Sequence, residues 1–186
     1  MTEGTIERRY AGPVEVGDGR TVVGLCVPFD RVATVADGDG GLPYQEVIRR
    51  GAFRKAMKAP NRVSLNREHR ETLVDEFGYG VEFDESGDGL VGTFRVYDGN
   101  IGDHALSILR SGAITGLSIS AALHPQGTRI VDGVVERRIL ILRHVALTSS
   151  PAYDGAEVLA MRSGPEYGGI ATALAMNEKL RARFTR

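Results

Sequence analysis

Short apolar runs, many of them β-branched, recur along the chain and are separated by glycine-rich polar stretches. Residues 5–12 and 20–28 read as strands. The segment Thr21-Val22-Val23-Gly24-Leu25-Cys26-Val27 is apolar and closes at Pro28, as strands commonly do. Gly17-Asp18-Gly19 before it is a turn signal that makes a hairpin of the pair. Residues 30–44 are polar and glycine-rich and read as a loop. Residues 46–58 read as a turn followed by a short helix, with Phe53 and Met57 four apart. Pro60 ends it. Short strands are expected over 62–65, 80–83 and 90–97.

The stretch 103–110 has Ala105, Ile108 and Leu109 on one helical face, with Asp98 or Asn100 as candidate caps. Gly112 suits its C-terminal end. Beyond it, 113–122 reads as a strand. Residues 129–131 and 134–148 flank Asp132-Gly133, the strongest hairpin signal in the chain. Residues 154–162 and 170–185 read as helices, the second amphipathic. Strands in meanders with few helices predict a mainly β, α+β fold: an antiparallel sheet or barrel with helices outside. The natural division is a main domain over 1–162 and a helical C-terminal segment over 163–186.

Composition narrows the class. The chain has 186 residues, 42% hydrophobic and 25% charged, with a formal net charge of −1. This describes a globular chain that buries roughly 70% of its unfolded surface. A near-neutral total argues against a nucleic-acid or membrane-surface partner. No apolar run approaches the roughly 18 residues of a membrane helix, and the acids near Met1 do not suit a secretory signal. The single Cys26 excludes an intramolecular disulfide. A reducing cytoplasm, without secretion, is the expectation.

No phosphate-binding loop, dinucleotide fingerprint, paired-His zinc motif or Gly-x-Ser-x-Gly elbow is present. His69, His104, His124 and His144 are scattered, so no metal or cofactor is expected. A hydrolase using Glu68 or Glu71 with a His and a metal is one alternative. Nucleophilic catalysis is the other, and buried polarity is the filter for it, because a polar side chain in an apolar strand is costly unless paired. Leu117-Ser118-Ile119-Ser120-Ala121 places two hydroxyls on one face of a strand. Ile141-Leu142-Arg143-His144-Val145-Ala146-Leu147 places an imidazole inside a core run. Strand serines more often bond backbone, and a core His is more often satisfied by a neighbour. A third place is Val63-Ser64-Leu65-Asn66-Arg67-Glu68-His69, where a short strand gives way to a polar run. Chain just past a strand end commonly displays reactive groups, although on composition an exposed, solvated His is the plainer reading.

These segments, in this order, resemble the tailed-phage prohead maturation proteases. The resemblance rests on Gly51-Ala52-Phe53 after Glu46-Val47-Ile48, the strand running to His69, Gly89-Leu90, Gly116-Leu117-Ser118-Ile119, and Leu142-Arg143-His144-Val145-Ala146 leading to Pro151-Ala152-Tyr153. It covers roughly residues 5–160. That family is similar to the herpesvirus assemblins, serine peptidases on a β-barrel of about seven strands ringed by helices. The resemblance implies Ser118 as nucleophile, His69 as general base and His144 as the third member that orients the base. Many phage relatives carry Glu at the third position, whereas His144 matches the assemblin version. Ser120, where relatives commonly have Gly, is an alternative nucleophile. Thr148-Ser149-Ser150 is a candidate source of oxyanion donors. Also implied are scaffold and major capsid proteins as substrates, self-cleavage, a homodimer, and action inside the assembling prohead in the host cytoplasm. A non-catalytic capsid-assembly or scaffold module on the same barrel is the competing reading.

Overall fold

The computed structural model describes residues 19–35, 42–86 and 88–162. Eleven strands and two α-helices occur among them: β1 (Thr21–Pro28), β2 (Val32–Val35), β3 (Tyr44–Ile48), α1 (Arg54–Lys58), β4 (Ser64–Arg67), β5 (Glu76–Ser86), β6 (Gly89–Val96), α2 (Asn100–Ser111), β7 (Gly116–Leu123), β8 (Thr128–Val131), β9 (Val134–Arg137), β10 (Leu140–Thr148) and β11 (Glu157–Arg162). Seven of the strands close a barrel in the order β1-β11-β7-β10-β4-β5-β6. The other four form a sheet ordered β2-β3-β9-β8.

The expected mainly β barrel of seven strands is therefore present. It departs from a wholly antiparallel arrangement at one seam, where β10 and β4 run parallel. A parallel pair joins strands distant in sequence, so no turn signal announces it.

The barrel is filled by Val22, Leu65, Leu90, Phe94, Val96, Leu117, Val145 and Leu147. These positions alternate along their strands with residues that face outward. Gly24 marks the tightest approach. A Cβ there would lie 2.3 Å from Leu117 Cδ1 and 2.8 Å from the Glu157 carbonyl oxygen, so β1 can cross β7 and β11 only without a side chain at that point. Phe53, fully buried, anchors the short α1 to the same core. The Glu85 carboxylate accepts the Gly51 and Phe53 N–H groups and holds the chain entering α1.

Local signals were followed closely at the Asp132-Gly133 hairpin, where both residues have positive φ and Val131 pairs with Val134. Gly112, with φ 70°, closes α2 through its N–H to the Leu109 carbonyl. The helix itself begins earlier than expected, at Asn100, with Gly99 as its N-terminal flank and no side-chain cap. It buries Ala105, Leu106 and Leu109, with Ile108 only half-buried.

Four other expectations fail. Residues 154–162 contain a strand, not a helix: β11 pairs with β1 and touches β7, and closure of the barrel decides between two readings that a short apolar run leaves open. The run 134–148 is two strands in different sheets. The break falls at Arg138 and Ile139, whose N–H groups both go to the Gly127 carbonyl. Residues 44–48 form β3, paired in parallel with β9, where a turn was expected. The loop read over 30–44 holds β2. The expected strand 5–12 and helix 170–185 lie outside the described residues.

Candidate active site

β7, β10 and β4 lie side by side in the barrel wall, and their register stacks polar side chains on the outer face. Ser120, His144 and Ser64 form one row across the three strands. Ser118, Ala146 and Asn66 form the next. The inward neighbours Leu117, Val145, Leu147 and Leu65 belong to the core. Period two alone would put His144 on the same face as Leu142. A bulge between Leu142 and His144 resets the alternation and turns the imidazole outward, a common use of bulges beside reactive groups.

His69 arrives from the end of β4. The Arg70 N–H donates to the Arg67 carbonyl (2.9 Å) and closes a turn whose central residues, Glu68 and His69, have φ of 46° and 60°. Such values are uncommon for residues with a Cβ and concentrate at functional sites. The turn brings His69 Nδ1 to 2.9 Å from His144 Nε2. The two ring centroids are 5.2 Å apart and tilted by 50°. On the other side of His144, Nδ1 lies 3.4 Å from Glu71 Oε1.

Ser118 sits directly opposite Ala146, which makes it the diagonal neighbour of His144 on the same face, a relation that spans about 7–8 Å between backbones. Ser120 is directly opposite His144. Among the described residues the two imidazoles are hydrogen-bonded to each other, and no hydrogen bond joins Ser118 to either. The three sequence-predicted side chains thus share one outer face, with two of them in contact.

Both rings favour the neutral form. Protein atoms crowd the ring of His69, although the residue is exposed as a whole, and this desolvation lowers its pKa against the upward pull of the Glu68 carboxylate. His144 is lowered by burial first and then by His69, with Glu71 opposing and Arg143 adding to the decrease. A cavity of about 250 Å³ opens beside His144, lined among others by Ser64, Asn66, Arg70, Glu71 and Arg143.

The stretch Thr148-Ser149-Ser150, expected to offer oxyanion donors, is already engaged. The Ser149 N–H donates to Glu68 Oε1 (3.0 Å), the Thr148 hydroxyl to Glu68 Oε2 (2.6 Å), and the Ser150 N–H to Thr148 Oγ1 (3.1 Å). Among the described residues no three His, Cys, Asp or Glu side chains gather as a metal site. Sequence reading missed the parts played by Glu68 and Glu71 around the two rings. The available signal was an acid on either side of His69 in the run Glu68-His69-Arg70-Glu71, but acids beside a His become partners only once the turn geometry is known.

The profile of the Caudovirus prohead serine protease family matches residues 11–167. The chain belongs to that family. It is accordingly a serine peptidase of the capsid-maturation class. No curated protein matches it in sequence. Among solved structures it is similar to KSHV protease bound to a hexapeptide phosphonate inhibitor, with 12% identity, 88% of this chain and 77% of that one covered, and a TM-score of 0.49. Varicella-zoster virus protease gives 14% identity, coverage of 89% and 77%, and a TM-score of 0.42. The bacteriophage T4 capsid assembly protease gives 12% identity, coverage of 75% and 96%, and a TM-score of 0.41. Among the described residues of this prohead protease, no helix is long and apolar enough to cross a membrane.

Proposed function

We propose that this chain cleaves scaffold protein, or the scaffold segment of the major capsid protein, and also itself, during capsid assembly, with Ser118 as nucleophile, His69 as general base and His144 as the group that orients the base. The observation that carries this reading is the 2.9 Å contact between His69 Nδ1 and His144 Nε2, on the outer face that also bears Ser118.

One tautomer set fits the contacts. A proton on His144 Nδ1 faces Glu71 and leaves His144 Nε2 as an acceptor. His69 Nδ1–H then donates to it, which leaves the His69 Nε2 lone pair free to take a proton. In the reaction the Ser118 oxygen attacks a peptide carbonyl while His69 Nε2 accepts the hydroxyl proton. The same nitrogen then gives that proton to the leaving amine, and the acyl group stays on Ser118. A water molecule, deprotonated by His69, hydrolyses the acyl-enzyme and restores the serine. A neutral imidazole stabilises the intermediate imidazolium less than a carboxylate does, so turnover is slow. High local concentration inside a prohead suits such an enzyme and favours a homodimer by mass action. The absent hydrogen bond between Ser118 and His69 is compatible with this role, since catalytic hydrogen bonds often tighten only with substrate in place.

The test is incubation with the capsid or scaffold precursor encoded by the same phage, with mass mapping of the cuts and labelling by a serine-directed phosphonate. Ser118→Ala is expected to lower cleavage by about 10³-fold or more without changing the melting temperature, and the phosphonate to label Ser118. Parental cleavage by folded Ser118→Ala, or label on Ser120, overturns the assignment.

A further inference from the structure

The turn that carries His69 holds two non-glycine residues at positive φ, and such backbone persists only where its surroundings over-determine it. The contacts that tie it to the end of β10 run through one residue. The Glu68 N–H donates to the Leu147 carbonyl (3.1 Å), extending the β4–β10 pairing beyond β4. Its carboxylate receives the Thr148 hydroxyl and the Ser149 N–H, and Thr148 in turn receives the Ser150 N–H. Thr148 is buried, so its hydroxyl gives the junction one sheltered anchor, whereas Glu68 and Ser149 are exposed. On the far flank Arg67 is paired with Asp75, which secures β4 but not the turn's approach to β10.

We propose that Glu68 is a positioning residue that clamps the His69 turn onto the end of β10 and so sets His69 against His144. The inference rests on the assignment of His69 as general base. Without the carboxylate the turn keeps its Arg67–Arg70 closure but loses its side-chain hold on Thr148 and Ser149. A base displaced by about 1 Å costs up to 10²-fold in rate.

The clamp is also a charge. His69 has Glu68 and Arg70 beside it on its own turn and His144 against its ring, while Glu71 and Arg143 from β10 act on His144. Glu68 pulls the His69 titration upward against desolvation. Two substitutions therefore separate geometry from charge. Glu68→Gln keeps an acceptor for the Ser149 N–H and removes the charge. Glu68→Ala removes both.

Two measurements decide it. With a peptide spanning a mapped cleavage site, Glu68→Ala is expected to lower kcat by roughly 10- to 10²-fold with KM changed far less. Glu68→Gln should recover most of that rate at pH 8, with the acid limb of kcat/KM moved to lower pH. In a Ser118→Ala background, which cannot consume itself, imidazole NMR should show His69 titrating lower when Glu68 becomes Gln. Folded variants with parental kcat and an unmoved His69 titration overturn the proposal. So does equal loss in the two variants with no shift, which would make Glu68 a structural strut only. Cleavage by Ser118→Ala itself would instead remove the nucleophile assignment, and kcat of Glu68→Ala and Glu68→Gln against the parent would still decide the clamp.

Discussion

Two patches on the outside of the same barrel are buried to the same degree and made of opposite materials. Where β1 meets β6, Val23, Leu25 and Val91 are 2%, 6% and 1% exposed and form a small apolar cluster of their own. Where β7, β10 and β4 meet, Ser118, His144, Thr148 and Asn66 are 7%, 4%, 2% and 2% exposed. Burying the first group is favourable without further conditions, since apolar area leaves water. Burying the second is costly unless each group finds a partner. His144 and Thr148 have found theirs, whereas the Asn66 Oδ1 has no partner among the described residues. The first patch serves stability. The second accepts that cost in exchange for polar groups held in a fixed arrangement, the preorganisation under which they act chemically.

The contrast is broken most directly by truncating one residue in each patch. On the proposed triad, His144→Ala is expected to lower kcat by about 10²- to 10³-fold, because His69 loses the acceptor that fixes its ring. Its effect on the unfolding midpoint should be small by comparison. Val91→Ala should do the reverse. It removes two buried methyl groups and costs about 2 kcal/mol of stability, with kcat per folded molecule unchanged. Urea unfolding and steady-state cleavage on both variants check the pair. Equal losses of activity, or equal losses of stability, would show that the two patches do not divide the work in this way.

How far these patches could be read from sequence follows from the same physics. Ser118 and His144 stand out because they interrupt apolar strand runs, and the interruption is visible without coordinates. The Asp132-Gly133 hairpin and Gly112 are local backbone requirements, equally visible. The parallel seam between β4 and β10 is not, although it sets Asn66 beside Ala146 and launches the His69 turn. Nor is the bulge after Leu142 that turns His144 outward. β11 reads as a helix because Glu157-Val158-Leu159-Ala160-Met161 is too short for its period to decide, and pairing with β1 decides it. Glu68 was legible as an acid beside a His and as a candidate in a metal-dependent alternative, but not as a partner of β10. Its bonds to Thr148 and Ser149 join residues about eighty positions apart.

Acid should act on the polar patch before it acts on the apolar one. His69 and His144 both titrate below the ordinary imidazole value near 6.5. The proposed triad needs the base form of each, so kcat/KM should hold down to about pH 6.5 and fall as pH drops through the lowered values. Stability follows the same sign. Between the unfolded and folded pKa values the unfolded chain binds more protons, so stability rises with pH across that window. The contribution is complete above about pH 6.5 and is lost as pH falls through the folded values. Asp75 and Glu136 are held below the usual carboxylate range by Thr72 with Arg67 and by Arg49 with Arg138, so they remain charged there. Urea midpoints at pH 7.5 and 5.5 should therefore differ more in the parent than in His144→Gln. Equal differences would place the acid sensitivity elsewhere.

The smallest effect tests whether the apolar patch is limited by its one polar intruder. Thr93 lies opposite Val23 on β6, beside Val91, and its hydroxyl is buried with no partner among the described residues. Valine has nearly the same shape and carries no hydroxyl to desolvate. Where a buried polar group has no bond to lose, replacing it by an apolar isostere recovers desolvation free energy. Thr93→Val is therefore expected to raise stability by about 1 kcal/mol and to leave cleavage unchanged. A loss of stability would mean that the hydroxyl is hydrogen-bonded in solution, to water or to a part of the chain beyond the described residues, and that the β1–β6 patch is less purely apolar than its neighbours imply.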